Sequence, residues 1–263
     1  MVKVALYDKK PKLTLVGAGP GAADLITLRG LNALKAADVV LYDALVSEAL
    51  LEYIPSGVLK ISVGKRAGAH SFKQEDINDL IVESAFMHGH VVRLKGGDPF
   101  IFGRGYEEME YAASFGIETE VIPGISSALA VPASLQIPLT SRKVSESFWV
   151  VTGTIQSGEI SNDVALAAQS SATIVILMGL NKLEEIMALF QHYGKHETPV
   201  AIIQNGTMPN EKSVLGKVST IAKLVAQEGM SSPAIIVVGE VVKYARVTEI
   251  MLQRSNTFSN DNP

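Results

Sequence analysis

The chain has 263 residues, 47% of them hydrophobic, with a formal net charge of −4, so it is large enough for one sizeable or two modest globular cores. That charge argues against wholesale nucleic-acid binding and leaves anion recognition to local clusters of Lys and Arg. With no cysteine there is neither a disulfide framework nor a thiolate metal site, which makes a reducing, cytoplasmic compartment the expectation. The longest apolar runs fall well short of the ~20 residues of a spanning helix, and residues 1–10 lack a signal-peptide core, so no membrane is implied.

Apolar β-rich runs alternate with helical patterns. Strands are predicted at Leu13–Val16, Val39–Tyr42, Leu59–Val63, His90–Val92 and Glu118–Ile122, with helices at Leu25–Ala36, Ser47–Tyr53, Gln74–Met87 and Tyr106–Phe115. A connection at 126–145 follows, with a helix at Ser126–Leu135 in spite of Pro132. A second alternation has strands at Phe148–Val151, Ile174–Met178, Val200–Ile203 and Ile235–Val238 and helices at Leu183–Phe190 and Val218–Gln227. The fold class is α/β, with an N-terminal domain over 12–125, a C-terminal domain over 146–248 and a mobile polar tail over 249–263.

Two glycine motifs carry chemistry. Residues 93–105 (Arg-Leu-Lys-Gly-Gly-Asp-Pro-Phe-Ile-Phe-Gly-Arg-Gly) directly follow a strand and spend nine of thirteen positions on glycine, proline or charge. Glycine lets backbone approach a ligand closely and proline fixes the next turn, so the run reads as a binding floor; the plain alternative is a tight turn capped by Asp98. Earlier, Gly17, Gly19 and Ala22 satisfy the dinucleotide pattern G-x-G-x-x-G/A, with Asp43 at the end of the next strand where a ribose-binding acid would sit. Against that reading, Pro20 removes one N–H from the turn that would cradle a pyrophosphate. Both readings stand on the residues alone.

Among the histidines, His88 and His90 are two apart and His192 and His196 four apart, but neither pair has a third ligand nearby in sequence. Both pairs are placed on the surface, with no metal site.

Taken in order, Val16-Gly17-Ala18-Gly19-Pro20-Gly21, Leu41-Tyr42-Asp43, Val63-Gly64-Lys65-Arg66-Ala67-Gly68, Gln74-Glu75-Asp76-Ile77-Asn78, Val91 to Gly105, Pro123-Gly124-Ile125-Ser126-Ser127-Ala128, Ile137-Pro138-Leu139-Thr140, Val151-Thr152-Gly153, Met178-Gly179-Leu180 and Ser232-Pro233-Ala234 to Gly239 resemble the tetrapyrrole methylase family. The Gly64 to Gly68 string points to its uroporphyrinogen-III C-methyltransferase branch. The resemblance covers roughly residues 12–245.

It implies a two-domain α/β homodimer that binds S-adenosylmethionine in a cleft between the domains and needs no metal. The family's reaction moves two methyl groups in turn onto uroporphyrinogen III, giving precorrin-2 and S-adenosylhomocysteine for sirohaem- or cobalamin-type synthesis. By position, the resemblance assigns cofactor contacts to Pro20, Gly96, Gly97, Asp98, Ile101, Ser126, Ser127, Met178 and Gly206. Asp43 would be the proton acceptor and Lys65 the donor.

For the polycarboxylate substrate it offers Arg66, Arg104 and Arg142, with Arg104 foremost; Lys143 and one of Arg93 or Lys95 are taken as plain surface charges. The chain departs from the family pattern at Ala44, Tyr106, Ser141 and Thr154, where arginine, glycine, histidine and histidine are common. Two other functions fit parts of the sequence: an NAD-dependent oxidoreductase using the Gly17 loop, and a non-enzymatic tetrapyrrole-binding regulator.

Overall fold

The computed structural model describes residues 9–64 and 73–245. Lys65 and Arg66, and the tail expected to be mobile, lie outside the described residues. The chain divides between Ser127 and Ala128 into two compact units.

The first unit holds β1 (Lys12–Gly17), α1 (Leu28–Lys35), β2 (Val39–Tyr42), α2 (Glu48–Leu51), β3 (Leu59–Ser62), α3 (Gln74–His88), β4 (His90–Lys95), α4 (Gly105–Ser114) and β5 (Glu118–Ile122). Its five strands form one parallel sheet in the order β3-β2-β4-β1-β5. Side chains of a strand alternate between faces, and both faces here are apolar. Leu13, Leu15, Val39, Leu41 and Val91 pack with Ile77, Ile81 and Ala85 of α3 and Ala112 of α4. Val16, Val40, Val92 and Leu94 pack on the opposite face with Leu34 of α1 and Leu50 of α2. All the strands run the same way, so every βα loop leaves from one edge of the sheet.

The second unit holds α5 (Ser127–Ser134, whose first residue precedes the division), β6 (Phe148–Thr152), α6 (Asn162–Gln169), β7 (Thr173–Leu177), α7 (Leu183–His192), β8 (Pro199–Gln204), β9 (Lys212–Lys217), α8 (Ile221–Gln227) and β10 (Ala234–Val238). Its sheet is mixed, in the order β6-β7-β10-β8-β9: β6 and β7 are parallel, whereas β10 runs antiparallel to both β7 and β8. Pro132 lies inside α5, and the helix ends two residues later.

Two elements escaped the sequence reading. Only Val214 is buried in β9, an edge strand, so apolar alternation is faint there. The buried stripe of α6 is Val164, Ala167 and Ala168, too small to stand out as an amphipathic face. Among the described residues no helix is long and apolar enough to cross a membrane.

Candidate active site

In the first unit the loops after β1, β2, β4 and β5 share the carboxyl edge of the sheet, which is where open parallel sheets bind ligands. The β1 and β4 loops are bonded to each other: Gly19 N–H donates to Gly97 O (3.2 Å), Gly97 N–H to Gly19 O (2.7 Å) and Ala18 N–H to Lys95 O (2.7 Å). A Cβ on Gly17 would lie 2.4 Å from Gly124 Cα and 2.7 Å from Gly97 O, far inside contact distance. Gly17 is therefore glycine because three backbones meet at that point.

This geometry removes the basis of the dinucleotide reading. The amides of Ala18 and Gly19 are committed to the β4 loop, Pro20 has none, and α1 starts only at Leu28, capped by Thr27 Oγ1 accepting from Gly30 N–H. Asp43, the candidate ribose acid, is held instead by Arg93.

The floor loop is built around Asp98. Its Oδ1 accepts from Phe100 N–H at 2.9 Å, the local turn bond anticipated for a Gly-Asp-Pro string, and its Oδ2 accepts from Gly124 N–H at 3.1 Å, tying the β4 loop to the β5 loop. Gly97 adopts φ +67°, and a Cβ there would come no nearer than 3.7 Å to Ser127 N and 3.9 Å to Ser126 Cα. Pro20 is half-buried, Ser126 is buried, Gly96 and Ser127 are half-buried, and Ile101 is exposed. Gly97, Ser126 and Ser127 are thus neighbours, with Asp98 bonded to Gly124 in the loop that leads from β5 to them.

A carboxylate has further lone pairs beyond the two in use here. An acid with lone pairs to spare and the exposed Ile101 in the same loop suit a ligand with a polar head and an apolar body, which S-adenosylmethionine has.

Arg93 and Lys95 overturn one expectation. Residues two apart on a strand face the same way, so both point to the α3/α4 side, and both are buried, at 2% and 3% relative exposure. There they meet Glu108 of α4, whose side chain is fully buried. Glu108 Oε1 accepts from Lys95 Nζ at 2.8 Å, from Arg93 Nε and Nη2 at 3.3 Å each, and from Gln74 Nε2 of α3 at 3.2 Å. Arg93 Nη2 also donates to Asp43 Oδ1 at 2.5 Å. Two cations and two carboxylates make the group neutral in sum. Burial, followed by the neighbouring guanidinium of Arg93, pulls the Lys95 ammonium below the usual lysine range, against the opposing pull of Glu108.

Glu108 and Gln74 were not among the sequence candidates. The signal existed: Gly105, Glu108 and Ala112 form the buried stripe of α4, so an acid occupies a position that helical spacing assigns to the core. Gly64, the last described residue before Lys65, packs against the Asp43 loop, since a Cβ there would fall 2.0 Å from Ala44 N.

Arg104 sits at the start of α4 in the left-handed region (φ 56°), is exposed, and grips Glu107 through Nε–Oε1 at 3.0 Å and Nη2–Oε2 at 2.5 Å. Tyr106, also exposed, donates to Glu110 Oε1 at 3.3 Å.

In the second unit, β6, β7 and β8 end at the same edge of their sheet. Met178 follows β7 at φ 56° with 54% of its surface exposed, and its carbonyl accepts from Thr154 Oγ1 at 3.2 Å. Gly206 lies between Asn205 (φ 50°) and Thr207 (φ 66°). A Cβ at Gly206 would meet Val131 Cγ1 of α5 at 2.3 Å, so the glycine serves packing against that helix. Glu211 Oε2 secures the turn, accepting from Thr207 N–H at 2.6 Å and from Ser134 Oγ at 2.8 Å. Non-glycine residues in the left-handed region carry strain that tends to gather at functional loops. Arg142 and Lys143 are exposed in the turn closed by Ser141 and Ser145, and Ser141 Oγ bonds the Tyr244 hydroxyl at 3.2 Å.

His90 is not on the surface as expected. It is half-buried, with Nε2 2.8 Å from Thr14 Oγ1 and Nδ1 3.1 Å from Ala36 O. Among the described residues no three His, Cys, Asp or Glu side chains group as metal ligands.

The chain is similar to known proteins along most of its length. Residues 12–222 match the family model described as Tetrapyrrole (Corrin/Porphyrin) Methylases. The chain is 50% identical over 233 residues to a uroporphyrinogen-III C-methyltransferase of Methanocaldococcus jannaschii, covering 88% of this chain and 96% of that protein. It is 47% identical over 247 residues to a siroheme synthase of Actinobacillus pleuropneumoniae, covering 92% of this chain and spanning 50% of that longer relative. Among solved structures, uroporphyrin-III C-methyl transferase from Thermus thermophilus complexed with S-adenyl homocysteine superposes with a TM-score of 0.77 at 35% identity, covering 89% of this chain and 99% of that one. A family match over most of the length, on a fold whose glycine loops bond one another rather than await a pyrophosphate, means that the chain belongs to the tetrapyrrole methylases.

Proposed function

We propose that this protein is an S-adenosylmethionine-dependent methyltransferase that places two methyl groups in succession on uroporphyrinogen III, yielding precorrin-2 and S-adenosylhomocysteine. The observation that carries this reading is the match along 96% of a uroporphyrinogen-III C-methyltransferase at 50% identity. The methyl donor supplies an electrophilic carbon on a sulfonium. A pyrrole carbon of the substrate gives the electron pair for the new C–C bond, the S–CH₃ pair stays on sulfur, and one proton leaves the macrocycle per transfer. The chain's contribution is to hold the two reactants in line and take up that proton.

In this reading Asp43 accepts the proton that leaves the macrocycle, and Lys65, outside the described residues, is the proton donor and takes back the proton it gives, so that one proton leaves per transfer. Pro20, Gly96, Gly97, Asp98, Ile101, Ser126, Ser127, Met178 and Gly206 hold the donor. Arg66, Arg104 and Arg142 meet substrate carboxylates. The protein acts as a cytoplasmic homodimer, and whether its product goes to sirohaem or cobalamin is decided by the enzymes that consume it.

Anaerobic incubation with uroporphyrinogen III and methyl-labelled S-adenosylmethionine is expected to place two labels on each macrocycle. Absence of label on the macrocycle refutes the activity, and a single label refutes the double transfer.

A further inference from the structure

Arg93 and Glu108 are where one expects a core and not an ionic group. Leu13, Leu15, Leu41 and Val91 share their face of the sheet, and the guanidinium and carboxylate have been taken almost wholly out of water there. Burying such a group carries a desolvation cost, and apolar residues of similar volume are often at least as stable. Stability alone therefore does not explain the arrangement, but its direction does. The chain of contacts runs from Gln74 Nε2 to Glu108 Oε1 (3.2 Å), from Arg93 Nε to the same oxygen (3.3 Å), and from Arg93 Nη2 to Asp43 Oδ1 (2.5 Å).

Asp43 continues the face of β2 that carries Val39 and Leu41, and Arg93 is the register partner of Leu41 on β4. The guanidinium therefore reaches along its own face to the end of the neighbouring strand. It is planar and donates in fixed directions: Nε and Nη2 face Glu108 Oε1, Nη1 donates to the Leu94 carbonyl at 3.2 Å, and Nη2 also reaches Asp43, so the plane is held in a single orientation. Asp43 retains 28% side-chain exposure, so its side chain remains partly accessible to a ligand.

We propose that Arg93, clamped by Glu108, is a positioning residue that fixes the orientation of the Asp43 carboxylate for proton uptake during methyl transfer. This rests on the reading of Asp43 as the proton acceptor. Arg93 and Glu108 are buried, at 2% and 1% relative exposure, so they act through Asp43 and not by direct contact with a reactant.

The test is a double-mutant cycle on single-turnover methyl transfer in the full chain, with Arg93→Lys and Asp43→Asn separately and together, and S-adenosylhomocysteine affinity measured for each. Arg93→Lys keeps the buried positive charge and loses the fork. The expected result is a rate at least tenfold lower for each single variant, a double variant no slower than the slower single, and affinity for S-adenosylhomocysteine within twofold throughout. Multiplicative losses in the double variant overturn the positioning role while leaving Asp43 as the base. An undiminished rate for Asp43→Asn overturns both.

Should Arg93→Lys not fold, Gln74→Leu leaves every charge in place and removes the hydrogen bonds from Gln74 Nε2 to Glu108 Oε1 and, within α3, to Asn78 Oδ1. Its rate is expected to fall two- to threefold in the parent and not at all in the Asp43→Asn background. An unchanged rate in the parent, or an equal fall in both, overturns the proposal.

Discussion

Arg104 illustrates how a surface charge can be assigned and yet be found engaged. The hydrogen bonds to Glu107 raise the guanidinium above its ordinary range and hold the Glu107 carboxyl below its own. Both side chains are about half exposed, so the pair is screened and adds at most ~1 kcal/mol. A substrate carboxylate can displace that partner, at the cost of breaking the pair. Glu107→Gln is accordingly expected to lower KM for the polyanionic substrate a few-fold, within that ~1 kcal/mol. Arg104→Ala is expected to raise it about tenfold, the scale of one charge-assisted hydrogen bond. Steady-state kinetics at fixed donor concentration decides; unchanged KM in both variants removes Arg104 from the substrate site. Residue identity was readable for Arg104, but its engagement with Glu107 was not. The same holds for Arg93, whose burial depends on Glu108, fifteen residues away in sequence and brought close by the packing of α4 against the sheet.

At the scale of elements, β1 and β5 are joined by backbone pairing and by an ionic edge. Lys12 Nζ lies 2.8 Å from Glu120 and 3.9 Å from Glu118, Arg29 reaches Glu120 at 2.5 Å, and Lys10 reaches Glu118 at 2.7 Å. The hydrogen bond from Lys12 is the main cause that holds Glu120 below the ordinary glutamate value of 4.5, with partial burial opposing and Arg29 adding to it. Lys10 does the same for Glu118. Each acid binds protons less readily folded than unfolded, so its contribution is present above pH ~4.5 and is lost as pH falls through the lowered values. Lys12→Met is expected to move the acid-unfolding midpoint upward in pH and to cost less than ~1 kcal/mol at neutral pH, since the pair is solvent-screened. Circular dichroism against pH checks both; a downward shift would contradict the assignment. Element placement in this unit was legible because buried parallel strands are continuous apolar runs, as Val39–Tyr42 shows. In the second unit it failed at β9, where only one side chain is buried, and at α6, whose buried stripe is small.

For the whole molecule, family membership turns into a statement about ligand linkage. A ligand that binds the folded state stabilises it by about 2.7 kcal/mol at a hundred times its dissociation constant. S-adenosylhomocysteine at saturating concentration is therefore expected to raise the unfolding temperature by several degrees, whereas NAD at the same concentration leaves it unchanged, because the first glycine loop has no amides of Ala18 or Gly19 left for a pyrophosphate. A shift with NAD alone reverses the reading of that loop.

From sequence alone came the α/β class, most strand positions and the ordered glycine and proline motifs that mark the family, because these depend on local periodicity and on residues with restricted or unusual backbone freedom. Tertiary structure decided which charges are inside, why Gly17 must be glycine, what holds Asp43, and that β10 runs against its neighbours. Each of those depends on which distant segment lies across a few ångströms of space, and the pattern of a single strand or helix does not encode the identity of its neighbour.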